Sequence, residues 1–484
     1  MVRRLIAPTF WLLAGLGLAV LSWRTGQTVS ALVASLALVG FAAGWLVRRL
    51  RPASWVLPVL AGVLVTALGI GLPWGLAYRD QYADVAWTMP SRSKTPTVVG
   101  DRIYLLRDGD DKDPSAWLEV RDLRSGKHLW SREFPEMLGG STTRLSGVRV
   151  VEDGSVILRA SPDPGPSNVF RLSPTGRLVW WRETGAQVVA ATARTTVLRS
   201  CPVESPDSCR LEGLGQRGER RWTMSYEHSS PRWVIPPDEG DTPEPTLPSV
   251  VAVVEQPGAR QRATLVDADT GLRRGQVDAP IDERLSWVVA QGRYVWVLAA
   301  SRSGCAWSVL DATRSRSVRP SGPCEETRPR VMPGDQVMVT QQVASDSGYA
   351  WLLDLAGGSV RALPYAQGEL TTPEVAIRLD DSELAALDPA TGRRLWSLTP
   401  SPDVGDDVTV GESVVRVGQN APRSGNPFLG ARDQEDVQAI ELLAPRTGRQ
   451  LAATTCPGPG DVEAVGADWA LVSCGDEYRL LTSR

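Results

Sequence analysis

Six cysteines and two histidines are the residues of this chain best suited to covalent or metal chemistry, and their spacing decides between the two. The cysteines stand at Cys201, Cys209, Cys305, Cys324, Cys456 and Cys474. A zinc site would need CxxC spacing or histidines nearby, and neither occurs. The six fall instead into three neighbouring pairs, 201 with 209, 305 with 324 and 456 with 474, although six cysteines admit 15 pairings. Each bridge would contribute about 2 to 3.5 kcal/mol by closing its loop, and all three require an oxidising compartment. His128 lies inside the run KHLW and His228 in a proline-rich stretch, and neither has a Ser or Asp partner in a recognisable motif. There is no GxSxG elbow and no P-loop. The acidic run RDGDDKD, Arg107 to Asp113, lacks the spacing and terminal Glu of a calcium loop and reads as a solvated loop tip.

Charge points the same way, toward binding and away from nucleic acid. The whole chain carries a formal charge of −3, and residues 1–80 hold +6 of it, which leaves −9 for the remainder. A nucleic-acid partner is disfavoured by that balance.

Three apolar stretches open the chain, roughly Leu5 to Ser22, Val29 to Val47 and Trp55 to Leu76, each near the ~20 residues that span a bilayer. They read as transmembrane helices, with Trp23, Trp45, Trp55, Trp74 and Tyr78 at interfacial depth. The alternative for the first stretch is a signal peptide behind MVRR, but no small-residue cleavage site precedes Trp23. Arg3, Arg4, Arg48, Arg49 and Arg51 flank one side and only Arg24 and Arg79 the other, so the N-terminus is expected in the cytoplasm and everything after residue 80 outside. The cysteines, all beyond the third stretch, agree with that topology. Gly40 and Gly44 form a GxxxG, read here mainly as a helix-packing device within the anchor. No ionisable residue lies within the spans, so an ion pathway is not expected.

The rest of the chain is built on a repeat. The run Leu387 to Trp396, LDPATGRRLW, places an Asp before a turn, a glycine where φ must be positive, and an apolar strand ending in Trp. Copies recur at Gly126, Gly176, Gly218, Gly271, Gly358 and Gly448, with one more, LDATRSRSV, holding Arg314 or Ser315 in the glycine's place. The anchors lie about 34 to 56 residues apart, a period of roughly 46 that fits four-stranded propeller blades. In the first copy TPTVVG, DRIYLLRD, AWLEVRDL and KHLWSREF supply four short strands, labelled A to D. Asp122, Asp267, Asp311, Asp354 and Asp388 are expected to cap their turns, and Trp130, Trp180, Trp222 and Trp396, which share one repeat position, to pack blades.

The runs VVGDRIYLL and VRDLRSGKHLW closely resemble the pyrroloquinoline-quinone-type (quinoprotein alcohol dehydrogenase-like) β-propeller repeat, over residues 85–484. The resemblance implies an all-β propeller of about eight four-stranded blades in residues 81–484, behind a three-helix anchor in residues 1–80. The repeat serves quinone dehydrogenases, outer-membrane assembly factors and ligand sensors alike, so it does not by itself choose a function. The dehydrogenases carry an adjacent cysteine pair and calcium-binding acid and amide residues; here no cysteines are adjacent and asparagine is limited to Asn168, Asn420 and Asn426. No cofactor is therefore expected, pyrroloquinoline quinone being the group to test for. The expected function is a non-enzymatic binding scaffold at the cell envelope, multi-pass in the cytoplasmic membrane, with another envelope protein or an extracellular ligand as partner. The alternatives are a membrane-bound quinone-dependent dehydrogenase and an envelope-stress or ligand sensor.

Two expectations concern geometry. Nine units can be counted when the C-terminal runs VEAVG, WALVSC and EYRLL are completed by a fourth strand from Asp84 to Met89; keeping eight requires a weak unit, around Gly218 or Gly358, to merge with a neighbour. The tight glycine turns join strands C and D at one face. The longer connections, 161–168, 201–209, 419–436 and the D-to-A link Glu227 to Ser249, are expected at the other, away from the membrane. Long polar loops on a rigid scaffold usually carry recognition, so Trp233, Asp238, Glu239, Asp241 and Glu244 in PPDEGDTPEP and its approach are the candidate partner-binding residues. The plain alternative is that these loops are tolerated insertions.

Overall fold

The repeat's turn forms as its chemistry requires. All seven anchor glycines have positive φ, from 63° at Gly448 to 80° at Gly218, a conformation in which a Cβ would meet the following carbonyl. The N–H groups of Gly126, Gly271, Gly358 and Gly392 donate to the carbonyls of Asp122, Asp267, Asp354 and Asp388 at 2.8–2.9 Å. The aspartate side chains close the other half of the turn. Asp122 Oδ1 accepts from Ser125 N at 2.8 Å and Ser125 Oγ at 2.6 Å, Asp267 Oδ1 from Thr270 N at 2.9 Å, and Asp388 Oδ1 from Thr391 N at 2.9 Å. The two Ser125 bonds hold the Asp122 carboxyl below its ordinary range, because they favour the ionised form.

The structure is a computed structural model. It describes residues 84–483 except 92–95, 109–114, 135–142, 163–166, 203, 230–245, 280–284, 302–303, 312–314, 319–326, 333–334, 342–347, 368–369, 381–382, 400–406 and 420–436. The three apolar stretches read as membrane spans lie outside the described residues. Among the described residues no helix is long and apolar enough to cross a membrane.

Strands follow one another in nine antiparallel sheets, the blades of an all-β propeller. Blade 1 shows the pattern: Thr97–Val99, Arg102–Arg107, Ala116–Asp122 and His128–Phe134 pair in that order. The expectation of eight blades is corrected to nine, because neither weak unit merges with a neighbour. The Gly218 unit has its own four strands, Gln187–Ala191, Thr196–Ser200, Ser208–Leu214 and Arg220–Glu227. The Gly358 unit likewise has Thr327–Met332, Gln336–Gln341, Gly348–Asp354 and Ser359–Ala366. Each of these two sheets has its own cross-strand pairing, with a register shift in its C–D pair, and leaves no strand to be shared. By contact the chain divides into two units, Ser91–Arg378 with Ala385–Trp396, and Met1–Pro90 with Leu379–Leu384 and Ser397–Arg484. The first contains blades 1 to 6 and the second blades 8 and 9.

Among the described residues blades 4 and 7 show three strands each, and the middle of the Glu227 to Ser249 link, 230–245, lies outside the described residues. Val250–Glu255 pairs with Arg262–Asp267, which carries the glycine turn, so Val250–Glu255 is a strand B, and no strand A of its blade is found among the described residues. At one end of Val250–Glu255, Ser229 N donates to Val254 O at 2.9 Å. At the other end the chain re-emerges as 246–249, where Leu247 N donates to Val150 O, Ala191 N to Pro248 O and Ser249 N to Gly292 O at 2.7–3.0 Å. Val150 and Ala191 end the innermost strands of blades 2 and 3, and Gly292 lies in the A–B turn of blade 5. The last residues of the link thus lie at the tight-turn ends of these blades. The backbone groups of 247–249 bond to neighbouring blades.

At the other terminus, Val85–Pro90 pairs antiparallel with Glu477–Thr482, from Val85 opposite Leu481 to Pro90 opposite Glu477. It completes the sheet of Gly460–Val465, Trp469–Cys474 and Glu477–Thr482. The N-terminal strand supplies strand D of the C-terminal blade, as the sequence pattern predicts.

Tryptophans at the fourth residue after a turn glycine dock on the next blade's turn. Trp130 Nε1 donates to Pro174 O at 3.0 Å, and its ring occupies the place a Cβ on Gly176 would take. Trp222 Nε1 donates to Ala268 O at 3.0 Å, with its ring 2.6 Å from where a Gly271 Cβ would stand. Trp180 lies over Gly218 in the same way. The glycine is needed twice, once for its φ and once for the ring.

Candidate functional site

The residues named for partner binding, Trp233, Asp238, Glu239, Asp241 and Glu244, lie outside the described residues. What the structure describes is the ground on which their loop stands. Arg220–Glu227, the outermost strand of blade 3, ends there, and between it and blade 4 is a cavity of about 470 Å³. Ser208, Ser225, Tyr226, Glu227, Glu255, Gln256, Pro257, Arg262 and Arg273 line it.

Two of the nearby elements are held firmly. Cys201 and Cys209 are bonded, with Cα atoms 4.2 Å apart, so the B–C connection of blade 3 is tied next to Ser208, at the residue that stands opposite Tyr226 in the sheet. Gln261, almost fully buried, donates to Ser229 Oγ at 2.8 Å and accepts from Leu285 N at 2.9 Å. Blades 3, 4 and 5 are thereby linked behind the cavity. Cys456 and Cys474 are also bonded, with Cα atoms 5.1 Å apart, joining blades 8 and 9. Of the remaining pair, Cys305 lies on Gly304–Leu310 and Cys324 lies outside the described residues.

The charges of the lining are mostly neutralised in place. Arg273 grips Glu255 through both terminal nitrogens, at 2.5 and 2.6 Å, and Arg262 grips Asp278 at 2.6 and 3.2 Å. These forks match carboxylate geometry and use up the guanidinium edges that would otherwise attract an anion. The Arg262 bonds hold the Asp278 carboxyl below its ordinary range. Glu227 is exposed and has no partner among the described residues.

Deeper in, Tyr226 is buried, and burial pushes its phenol up from the ordinary value against the opposing pull of Arg199. Its ring meets His228 edge-on, with centroids 6.1 Å apart. Burial, helped by the Arg199 charge, pushes the His228 imidazole down, with Asp207 opposing. The imidazole is therefore neutral at pH 7. Its N–H in the main chain donates to Asp207 O at 2.5 Å, while its Nδ1 is buried with no partner.

Among the described residues no three His, Cys, Asp or Glu side chains group closely enough to hold a metal. Ordered carboxylates, guanidinium forks and hydroxyls around an open cavity can bind and orient a polar ligand. Apart from Glu227, which starts the long link, these residues carry no local motif: the only sequence trace is the exposed alternation along Arg220–Glu227, where Thr223, Ser225 and Glu227 are exposed and Tyr226 is not.

A second cavity, of about 410 Å³, lies at blades 6 and 7 against Tyr365, Arg378, Leu387 and Arg394. Here Ala362 replaces the docking tryptophan, and Tyr365, three residues later, packs on Gly392 instead.

No family model matches the chain, and no curated protein matches it. Solved structures align with it at low identity. BamB from Moraxella catarrhalis is 13% identical, with 82% of this chain and 99% of that one covered and a TM-score of 0.37. The WD40 domain of SCAP from fission yeast is 9% identical, with 82% and 98% covered and a TM-score of 0.40. The dihydro-heme d1 dehydrogenase NirN is 13% identical, with 78% and 80% covered and a TM-score of 0.35.

Proposed function

We propose that this chain is a non-enzymatic binding scaffold of the cell envelope, anchored in the cytoplasmic membrane by its first 80 residues, with its propeller outside and holding a protein partner. The observation that carries this reading is the cavity at blades 3 and 4. It is open, lined by ordered polar groups and bordered by a disulfide-tied connection, and it lies at the start of the longest acidic link in the propeller. Rigid ground with polar loops is how scaffolds present recognition surfaces. The anchor rests on the three apolar stretches and the arginine asymmetry, and the oxidising location on the cysteines. The reading assigns no cofactor, so the purified protein should show no quinone absorbance.

The test is site-specific photocrosslinking in living cells of the source organism. A photoreactive residue at Ser208 or Gln256 should yield discrete crosslinked adducts, and one at Ser125 or Thr391, in the tight turns, should not. Equal crosslinking from both groups, or none from Ser208 and Gln256, overturns the assignment of this cavity as the binding ground.

A further inference from the structure

We propose that the cavity between blades 3 and 4 takes a cationic side chain, an arginine or lysine, from an extended polypeptide partner, with Glu227 as its counter-charge. The inference rests on the scaffold reading and gives that partner's chemistry. It follows from the accounting of charges. Glu227 and Glu255 face Arg262 and Arg273 in the lining, but Arg262 is claimed by Asp278 from the neighbouring strand. Arg273 is claimed by Glu255. One carboxylate of the lining, Glu227, remains without a partner among the described residues, while both guanidiniums of the lining are already engaged by carboxylates. An anionic ligand would have to break a bidentate fork to enter, whereas a cation needs to displace nothing.

The remaining lining suits the stem and head of such a side chain. Tyr226 and Pro257 offer apolar surface to the methylenes, and Ser208 and Ser225 hydroxyls accept from guanidinium or ammonium donors. A polypeptide, and not a small amine, is the expected source. The cavity opens along Arg220–Glu227, the last strand in its sheet, whose outer edge carries the main-chain donors and acceptors an extended segment can pair with. Nearby, the disulfide between Cys201 and Cys209 keeps Ser208 in place without the partner, which lowers the ordering cost of binding.

Fluorescence anisotropy with the full-length protein in detergent tests this, with labelled hexa-arginine, hexa-glutamate and spermine as probes. Hexa-arginine should bind more tightly than the other two, and the binding should weaken as salt is raised. Glu227→Gln should weaken hexa-arginine binding about two- to fivefold, the range of an exposed ion pair. Glu255→Gln, which frees Arg273 to repel the probe, should weaken it at least as much. Both variants should melt as a folded protein does, since neither residue is in the core. Tighter binding of hexa-glutamate, spermine binding equal to hexa-arginine, or hexa-arginine binding unchanged by both substitutions would each overturn the proposal. Crosslinking at Ser208 that survives such a result would leave the scaffold reading standing and remove only the cationic partner.

Discussion

Blades 1 to 4 and blades 8 and 9 hold their neighbours by different means, and the difference shows what the repeat can give up. In the first group the fastening is apolar and periodic: Trp130, Trp180 and Trp222 each dock on the turn glycine of the following blade. In the second, the same repeat position is Ala452, and no tryptophan is there to dock. The joint is made by other groups. The bridge from Cys456 to Cys474 crosses from strand D of blade 8 to strand B of blade 9. Arg479, fully buried, donates to Thr454 Oγ1 at 3.2 Å and Thr455 O at 2.7 Å in blade 8, and pairs with Glu477 in its own strand. Asp84 Oδ2 accepts from Ala453 N at 3.1 Å. A blade that must accept a strand from the other end of the chain has its joint secured by a covalent bond and a buried charge network.

The same trade appears once within the first group. At the fourth residue after Gly271 stands Gly275, not tryptophan, and the next blade holds Arg314 or Ser315 where a turn glycine would be. A Cβ on Gly275 would come within 3.3 Å of Asp311 O, so the two blades meet there backbone to backbone. Ring and turn glycine are absent together at this joint.

The largest expected effect comes from breaking the second kind of joint outright. Deleting Glu477 to Arg484 removes buried Tyr478, Arg479, Leu480 and Leu481 and leaves Val85–Pro90 with no strand to pair. At about 1.5–3 kcal/mol for each large apolar side chain, the loss exceeds about 5 kcal/mol. Blades 8 and 9 should lose protection in hydrogen exchange. Wild-type protection after the deletion would show that the terminal pairing holds nothing.

Next is the apolar joint. Trp222→Ala removes an indole from between Gly271 of the next blade and Gly213 of its own, with an expected cost of about 3–5 kcal/mol in chemical denaturation. The matching change at the unfastened joint, Gly275→Ala, should cost less than Trp222→Ala, because Asp311 O is in tight contact without overlap. A larger loss at Gly275 would reverse the ranking of the two joints.

Slightly smaller is the covalent term. Replacing Cys456 and Cys474 together by serine opens a loop of sequence separation 18, for which loop-closure entropy gives about 3 kcal/mol. Reductant should bring the wild-type protein down to the double variant and leave the variant unmoved. If reductant destabilises both equally, the bridge is not what secures this joint.

How much of this is legible in the sequence depends on how local each demand is. Turn glycines announce themselves because only glycine takes positive φ cheaply and accepts a ring in place of a Cβ, and both demands fall on one residue of a short motif. The closing strand is legible too, since Asp84 to Met89 has strand D character and the C-terminal unit lacks a strand D. Nine blades, against the family's eight, required trusting that count over the resemblance. The course of 246–249 is not legible: nothing local says where these residues run, because the bonds of Leu247, Pro248 and Ser249 go to Val150, Ala191 and Gly292 in three different blades. The cavity is hidden for the same reason. Tyr226, Glu255, Arg262 and Arg273 belong to four strands, and no spacing within one strand marks them.

The smallest expected effect is a pH dependence, and it tests whether the candidate site is as rigid as the joints. His228 is held neutral, first by burial and then by Arg199, so its folded-state pKa lies below the unfolded value of about 6.5. Above that pH both states carry a neutral ring and the imidazole contributes no slope. As pH falls through about 6.5 the unfolded chain takes up a proton that the folded chain refuses, so stability falls with pH until the depressed folded pKa is reached. Carboxylates titrate lower and contribute their own slope, but the difference between the wild type and His228→Gln isolates this ring; His128 is common to both. Urea unfolding at pH 7.5 and pH 5.5 should show the wild type losing more stability than His228→Gln on acidification. An equal loss in both would mean that His228 becomes protonated without resistance in the folded protein. The ground beneath the acidic link would then open to water, unlike the closed joints on either side of it.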